Sequence, residues 1–442
     1  MFKKIVFTIV LAQAVFILTA QPKENSPISR FGIGNYLPAY FAGPSGMGGF
    51  SAAYRDPAQM NFINPASFGS ITSATFEGGF YLKRATLQAD TAQTTFWGGN
   101  LQYLSLGFPM QSSINEMMER KKKKFRWGAG ISLQPYTFVA YDILDSAPHA
   151  GIDTATVNNE YDGRGGTYKL QLANGWRYKA FSLGIKGGFL FGKITNQRAV
   201  SFDNLANSYN DLFLDEISLS GFVWNSGAQY DLKLSKNKKD ADDENRTKHL
   251  VFGVYGNSSQ GFRTNSSRLW QRTNSTYLDS DTIRYYQDSI QHGTLPSEFG
   301  VGIMYEDFNK LRIGADYSVT NWSGYTNEAK PEIFSNTWRV SVGGEYIPDY
   351  SSYNKFSKRL RYRLGGYYGL DPRSLDGEQL SQWGITAGVG LPIILPRQAA
   401  SYVNFALEYG NFGTTVLNEN FFKLTVGYTL TDNTWFFKRK FE

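Results

Sequence analysis

The last ten or so strand-length stretches of this chain alternate apolar and polar residues with a period of two, punctuated by glycine and tyrosine. The final stretch is the plainest. Phe422, Leu424, Val426, Tyr428 and Leu430 fall on one face, and Lys423, Thr425, Gly427 and Thr429 on the other. Successive side chains of a strand point to opposite faces, so this repeat builds a wall with one oily and one wet side. Carried around a closed sheet behind a secretion signal, such a wall is an all-β, antiparallel transmembrane β-barrel of a Gram-negative outer membrane.

The chain opens with the signal that this reading needs. Lys3 and Lys4 precede an apolar run from Ile5 to Ala20, the pattern of a secretory signal peptide over residues 1–20, with cleavage after Ala20. An uncleaved anchor is the competing interpretation. No later segment approaches the roughly 18 consecutive apolar residues of a membrane helix. The mean hydropathy of −0.36 does not oppose a membrane location, because lumen residues and loops dilute the apolar face of a barrel. The absence of cysteine excludes disulfides, thiolate metal sites and cysteine nucleophiles. An aromatic content of 16% suits the girdles at two membrane interfaces. The formal charge of +7 is spread through the strands, so no nucleic-acid partner is expected.

Residues 21–71 are rich in Gly, Pro, Ser and Asn without sustained periodicity, and are read as an N-terminal plug at the periplasmic side; residues 72–442 form the barrel. Fourteen strands are expected, at 72–87, 93–109, 125–141, 164–179, 180–194, 213–233, 248–264, 295–307, 310–325, 335–348, 358–371, 380–393, 399–412 and 419–431. The even count returns both ends to the periplasm. The outer connections would then be 88–92, 142–163, 195–212, 265–294, 326–334, 372–379 and 413–418, with tight inner ones such as Lys179–Ala180. Two inner connections carry charge runs, Lys121–Lys124 and the stretch from Lys236 to Glu244; each reads as a solvated turn or as a docking point for a periplasmic partner.

Expected outward sets include Phe181, Leu183, Ile185, Phe189 and Phe191 on one strand, and Leu311, Ile313, Ala315, Tyr317 and Val319 on another. The inward faces carry Arg126, Lys169, Arg177, Lys186, Arg312, Arg339, Arg361, Arg363 and Lys423 against Asp316, Glu345 and Glu408, which predicts an electropositive lumen. The second strand fits least well, because Tyr103, Leu104, Leu106 and Phe108 do not alternate cleanly.

Chemistry beyond binding finds little support. The three histidines, His149, His249 and His292, fall in outer loops or near an inner turn, where no Ser–His pair at one level of the wall is expected. Asp142, Asp145 and Asp153 have an ordinary loop composition. No catalysis, no metal and no cofactor are expected. In the plug, Asn64-Pro65-Ala66 makes a rigid corner, because Pro65 fixes its own φ and biases Asn64 towards extended geometry. The corner either shapes the plug or forms a movable gate, with Gly48 and Gly49 allowing the plug backbone close to the wall. Pro135 interrupts the third strand and cannot donate to a ladder, so it predicts a bulge or kink, or else marks a rim where pairing is ending.

The order Met47-Gly48-Gly49, Ala52-Ala53, Asp56, Asn64-Pro65-Ala66 resembles the hatch of the FadL-type outer-membrane transporters of long-chain fatty acids and other hydrophobic compounds. Leu295 to Gly302, leading through Asp316 to Trp322-Ser323-Gly324-Tyr325, is similar to a second stretch of that family, and Tyr362–Gly369, Ile385–Leu391 and Tyr428 look like its closing section. The resemblance implies a hatch containing Asp56, a kinked third strand that opens the wall sideways at Pro135, and inward passage of a fatty-acid-like molecule. PorV-type barrels share the hatch motif and serve protein export machines. The stretch Ser26–Gly34 and the tail Trp435–Glu442 depart from the transporter pattern. The alternative is therefore a non-transporting interaction subunit of an export or barrel-assembly machine. Partners expected are outer-membrane lipid and lipopolysaccharide, a hydrophobic small molecule and, in the alternative, an envelope protein.

Overall fold

The computed structural model describes residues 24–432, apart from 90–91, 112–123, 150, 152–154, 206, 235–247, 275–278, 308 and 395–399. The signal peptide, Lys121–Lys123, the 236–244 charge run, Asp153 and the 435–442 tail lie outside the described residues.

Eighteen strands follow in order: β1 Asn35–Tyr36, β2 Ala74–Ala89, β3 Ala92–Pro109, β4 Phe125–Pro148, β5 Thr156–Tyr178, β6 Phe181–Asp203, β7 Asn210–Lys233, β8 Lys248–Asn257, β9 Gln260–Asn274, β10 Asp279–Leu295, β11 Ser297–Asp307, β12 Leu311–Asn321, β13 Thr326–Asn327, β14 Thr337–Tyr346, β15 Arg361–Leu375, β16 Glu378–Ile394, β17 Ala400–Gly413 and β18 Leu417–Asp432. Fourteen of them close a ring: β2 to β8 in sequence, then β11, β12 and β14 to β18, with β18 returning to β2 from Leu417↔Ala89 to Asp432↔Ala74. All pairings are antiparallel, and each of the fourteen matches an expected strand. Every strand of the ring is paired on both sides over at least part of its length, the closure a sheet needs to cross a bilayer.

The faces follow the period-two register. Phe189 is 63% exposed and Phe222 56%, on the outside of the ring, whereas Lys186, Arg312, Arg361 and Arg363 are buried inside it. Val426 shares the outward face yet is buried, because Phe405 and Phe80 flank it across the two ladders. The uneven second strand has a local cause. The β2–β3 register slips between Gly79↔Tyr103 and Phe80↔Leu101, so Gln102 is an extra residue. Gln102 and Tyr103 both point inward, and Leu101, Leu104 and Leu106 point outward.

Three expected outer loops are largely strand. The β4–β5 ladder continues to Pro148↔Thr156, β6–β7 to Val200↔Asp211, and β9 with β10 forms a long hairpin over most of 265–294. These extensions stay paired side by side, β5 with β6 to Thr156↔Asp203 and β7 with β9 to Asn210↔Thr273, and carry polar residues on both faces, which weakens the alternation that marks a half-buried strand.

Residues 24–73 occupy the interior, touching strands on opposite sides of the ring. The short helical turn Ala42–Ser45 packs on β16 to β18, and the 3-10 turn Pro65–Ser70 on β4 to β7. The segment is not confined to the short-turn end. Its first part runs along the extended half of β4, where the Ser26 N–H donates to Ala140 O at 2.8 Å and the Leu37 N–H to Tyr136 O at 2.9 Å, and β1 pairs with Thr137 and Phe138. Ser26–Gly34, the stretch outside the family pattern, is thus an internal lining of the wall.

Candidate functional site in the barrel lumen

A chain of ion pairs crosses the lumen through the N-terminal segment. Arg177 Nη2 meets Asp231 Oδ2 at 2.7 Å, and Arg55 Nη1 meets the same oxygen at 2.9 Å. Arg55 Nη2 also reaches Glu306 at 3.4 Å, Arg312 Nε donates to Glu306 at 2.9 Å, and Arg312 Nη1 donates to Asp56 Oδ2 at 2.8 Å. Arg361 Nη1 donates to that oxygen of Asp56, also at 2.8 Å. Glu345 accepts from Arg312 at 2.9 Å and from Arg363 Nε at 2.8 Å. Burial alone would raise the Asp56 carboxyl; the guanidinium groups of Arg361 and Arg312, with the Ala58 N–H, hold it well below the usual carboxylate range.

The expected electropositive lumen is corrected by these partners. Asp56 comes from the segment, and Asp231, Glu306, Glu77 and Glu419 from inward strand positions, all buried. Asp231 was legible as an inward residue, since Asn225, Gln229 and Asp231 alternate on β7. The network also holds His249, whose Nδ1 lies 2.6 Å from Asp231 Oδ1.

The other motif residues fit tightly against the wall. Gly48 has φ +69°, and a Cβ there would lie 2.5 Å from Gly366 O; its N–H donates to Thr386 Oγ1 at 2.8 Å. Gly49 has φ +82°, with the Tyr40 ring in the space of a Cβ. Asn64 caps the Pro65–Ser70 turn through Oδ1 to the Ala66 N–H, and its Nδ2 reaches Ala52 O at 2.6 Å, Val254 O at 3.1 Å and Ala228 O at 3.3 Å. It therefore ties the segment to β7 and β8 together. Arg339 belongs to another cluster, stacked 3.7 Å over the Tyr367 ring and 5.4 Å from that of Tyr40.

Beside the segment lies a cavity of about 340 Å³, bordered by Tyr36, Tyr40, Tyr136, Lys169, Lys186 and Trp322 among others. Lys169 Nζ sits 3.3 Å over the Tyr136 ring. Burial pushes the Tyr40 hydroxyl up to about 12, so it remains a neutral donor. The cavity, which Glu298, Asp316 and Asp371 also border, thus offers aromatic surface together with amine, carboxylate and hydroxyl groups, a lining suited to an amphiphile with a hydrogen-bonding head.

Pro135 stands at its border. The β4–β5 register slips between Pro135↔Tyr168 and Thr137↔Thr167, so Tyr136 is bulged and the inward face changes parity, from Ser132 and Gln134 to Thr137, Val139 and Tyr141. The strand continues thirteen residues beyond Pro135, which sets the bulge within the wall on the β5 side. On the β3 side pairing does end, at Leu104↔Leu133. Beyond it, residues 25–37 line β4 in place of β3.

Several solved structures share this fold. The toluene transporter TbuX of Ralstonia pickettii superposes with a TM-score of 0.55 at 14% identity, covering 89% of this chain and 99% of that one. The toluene transporter TodX of Pseudomonas putida does so with 0.54 at 15%, covering 90% and 99%. A FadL homologue of Pseudomonas aeruginosa gives 0.52 at 13%, covering 89% and 99%. The architecture is thus FadL-type, as the hatch motif implies. No curated protein matches the sequence. The BamG family model matches residues 1–442, the whole of the sequence, and the chain belongs to the BamG family.

Proposed function

We propose that this outer-membrane barrel binds a hydrophobic or amphipathic small molecule, fatty-acid-like in chemistry, in the lumen cavity beside Tyr36, Tyr136 and Lys169. The observation that carries this reading is the position of the cavity next to the β3–β4 separation, where an apolar chain could move between lumen and bilayer without crossing water. The toluene transporters that share the fold are named for apolar cargo, in line with this reading. Residues 24–73 then act as the hatch, and inward passage requires them to shift. Asp56, Asn64, Gly48 and Gly49 hold the hatch shut, and Arg312, Arg361 and Arg363 are its wall-side anchors. Pro135 marks the sideways exit.

A second reading, a non-transporting subunit of an export or barrel-assembly machine, is favoured by two observations. The BamG family covers the whole chain, and the ion network locks the segment to both sides of the lumen. One experiment separates the two. Cells lacking the protein are assayed for uptake of a labelled long-chain fatty acid, and for the outer-membrane protein profile. Loss of uptake with a normal profile supports the ligand reading; normal uptake with depleted outer-membrane proteins overturns it in favour of the subunit.

A further inference from the structure

Four neighbouring stretches of the wall are interrupted at one level. β7 pairs with β9 as far as Gly221↔Phe262 and with β8 from Ser226↔Gly256, which leaves Phe222–Asn225 outside the ladder on that side. β8 ends at Asn257 and β9 begins at Gln260; Pro296, without an N–H, divides β10 from β11; β12 ends at Asn321 in the short turn Trp322–Gly324. Five residues, 257–261, face the four of 222–225, a one-residue excess that defines a bulge. Backbone groups in hydrocarbon must find partners. Side-chain amides serve here: Gln260 Nε2 donates to Trp224 O at 2.5 Å, and Asn257 Nδ2 to Pro296 O at 3.3 Å. Such bonds can swing aside by rotamer change while the ladders above and below stay paired.

Both faces of this seam are hollow. On the lipid side lies a pocket of about 920 Å³, with apolar walls that include Leu183, Ile185, Val254 and Phe299. On the other side is the lumen cavity. Trp224, Tyr255, Asn257 and Glu298 border both hollows, so they form the partition between them. On the lumen side, Gln134 Nε2 and Asn225 Oδ1 belong to side chains only 5% exposed and have no hydrogen-bond partner among the described residues.

We infer that this seam is a second lateral opening, separated from Pro135 by strands β5 and β6, through which a single-chain amphiphile from the bilayer reaches the lumen cavity. The inference rests on the ligand reading of that cavity. The occupant follows from the two hollows. The lipid-side pocket is apolar and continuous with the bilayer-facing band, and accepts a hydrocarbon chain. The lumen side offers the Lys169 amine and the unpartnered Gln134 Nε2 as donors, with Asn225 Oδ1 and the Glu298 carboxylate as acceptors beside them, so it suits a head that both donates and accepts, as a protonated carboxyl does. A cavity of about 340 Å³ fits one chain. Gln260 and Trp224 are the latch.

The test uses the full-length barrel in vesicles containing palmitate with a terminal diazirine; illumination inserts the carbene into whatever the chain end touches, and peptide mass spectrometry locates it. The expected result is adducts on Val223, Trp224 and Asn225 as well as near Tyr136. Ser226→Trp, which fills the lipid-side pocket without entering the lumen, should reduce the 223–225 adducts at least fivefold and spare those near Tyr136; Ala228→Phe is the second variant if Ser226→Trp does not fold. Gln260→Ala should raise the 223–225 adducts several-fold. Labelling near Tyr136 alone, or 223–225 adducts unchanged in folded filled-pocket variants, would overturn the second opening while leaving the ligand reading intact. No lumen adduct anywhere would remove both.

Discussion

The carboxylate of Asp56 accepts a hydrogen bond from Arg361 at 2.8 Å across 305 positions of sequence, and it does so inside the barrel at the short-turn end, where Arg361 opens β15. The same oxygen takes Arg312 from another strand. One side chain of the N-terminal segment therefore ties two parts of the wall together. Asp56→Ala leaves two buried guanidinium groups short of a partner, a loss of about 3–5 kcal/mol for a buried pair. The variant should show a lower unfolding midpoint in detergent, and protease should reach residues 24–73 in barrels that still migrate as folded. An unchanged midpoint would mean that the network does not hold the segment.

The same contact has a defined pH dependence. The folded-state pKa of Asp56 lies below its unfolded value, so its contribution to docking is complete above the ordinary carboxylate range near ~4 and is lost as pH falls towards the folded value. Protease resistance of the segment should be flat from neutral pH to about 5 and decline only under stronger acid. Asp56→Asn should abolish that acid-dependent component, and limited proteolysis across a pH series checks it.

Gly48 tests the fit of the segment to the wall. Its φ of +69° is strained for any L side chain, and a Cβ would press on Gly366 O. Gly48→Ala should destabilise docking by about 1–3 kcal/mol. Gly151→Ala shares a positive φ of +99° but has open space around it, and should cost less. Equal midpoints for the two variants would remove the steric part of the argument.

Pro135→Val tests the sideways exit. Valine restores an N–H at the bulge and favours a regular strand. Under the ligand reading, uptake of a long-chain fatty acid should slow while the barrel still folds. The effect should be partial, because residues 25–37 keep their place on β4. Full uptake in a folded Pro135→Val barrel would detach the bulge from transport.

The strand count and most faces were legible because a half-buried strand writes its environment into every second residue. The register of Phe181–Phe191 or Ile313–Val319 needs nothing else. What period two cannot show is a single inserted residue. Gln102 and Tyr136 each shift the inward parity by one, and in sequence this looks like loss of pattern at Tyr103 and an isolated proline at 135. The extensions past Tyr141 and Ile194 look like loops in sequence because polar residues stand on both faces and only scattered ones, such as Ile143 and Tyr161, pack on the core. The lumen charge was misjudged for a different reason. Asp56 lies in the aperiodic segment and reaches its arginines only through tertiary approach, which no local window contains, whereas Asp231 is inward by the alternation of β7. The seam at Trp224 and Gln260 was equally hidden, since it arises from the break between β8 and β9, that between β10 and β11 and the end of β12, which align beside an unbroken β7 only once the ring has closed.

The most direct measurement is native mass spectrometry of the full-length protein extracted gently from its own membranes, with lipid and protein partners analysed together. The account expects a barrel carrying one fatty-acid-like amphiphile, and loss of that mass in an Asn225→Trp variant that fills the lumen cavity and remains folded. A barrel with an empty cavity and stoichiometric envelope proteins attached would contradict the ligand reading.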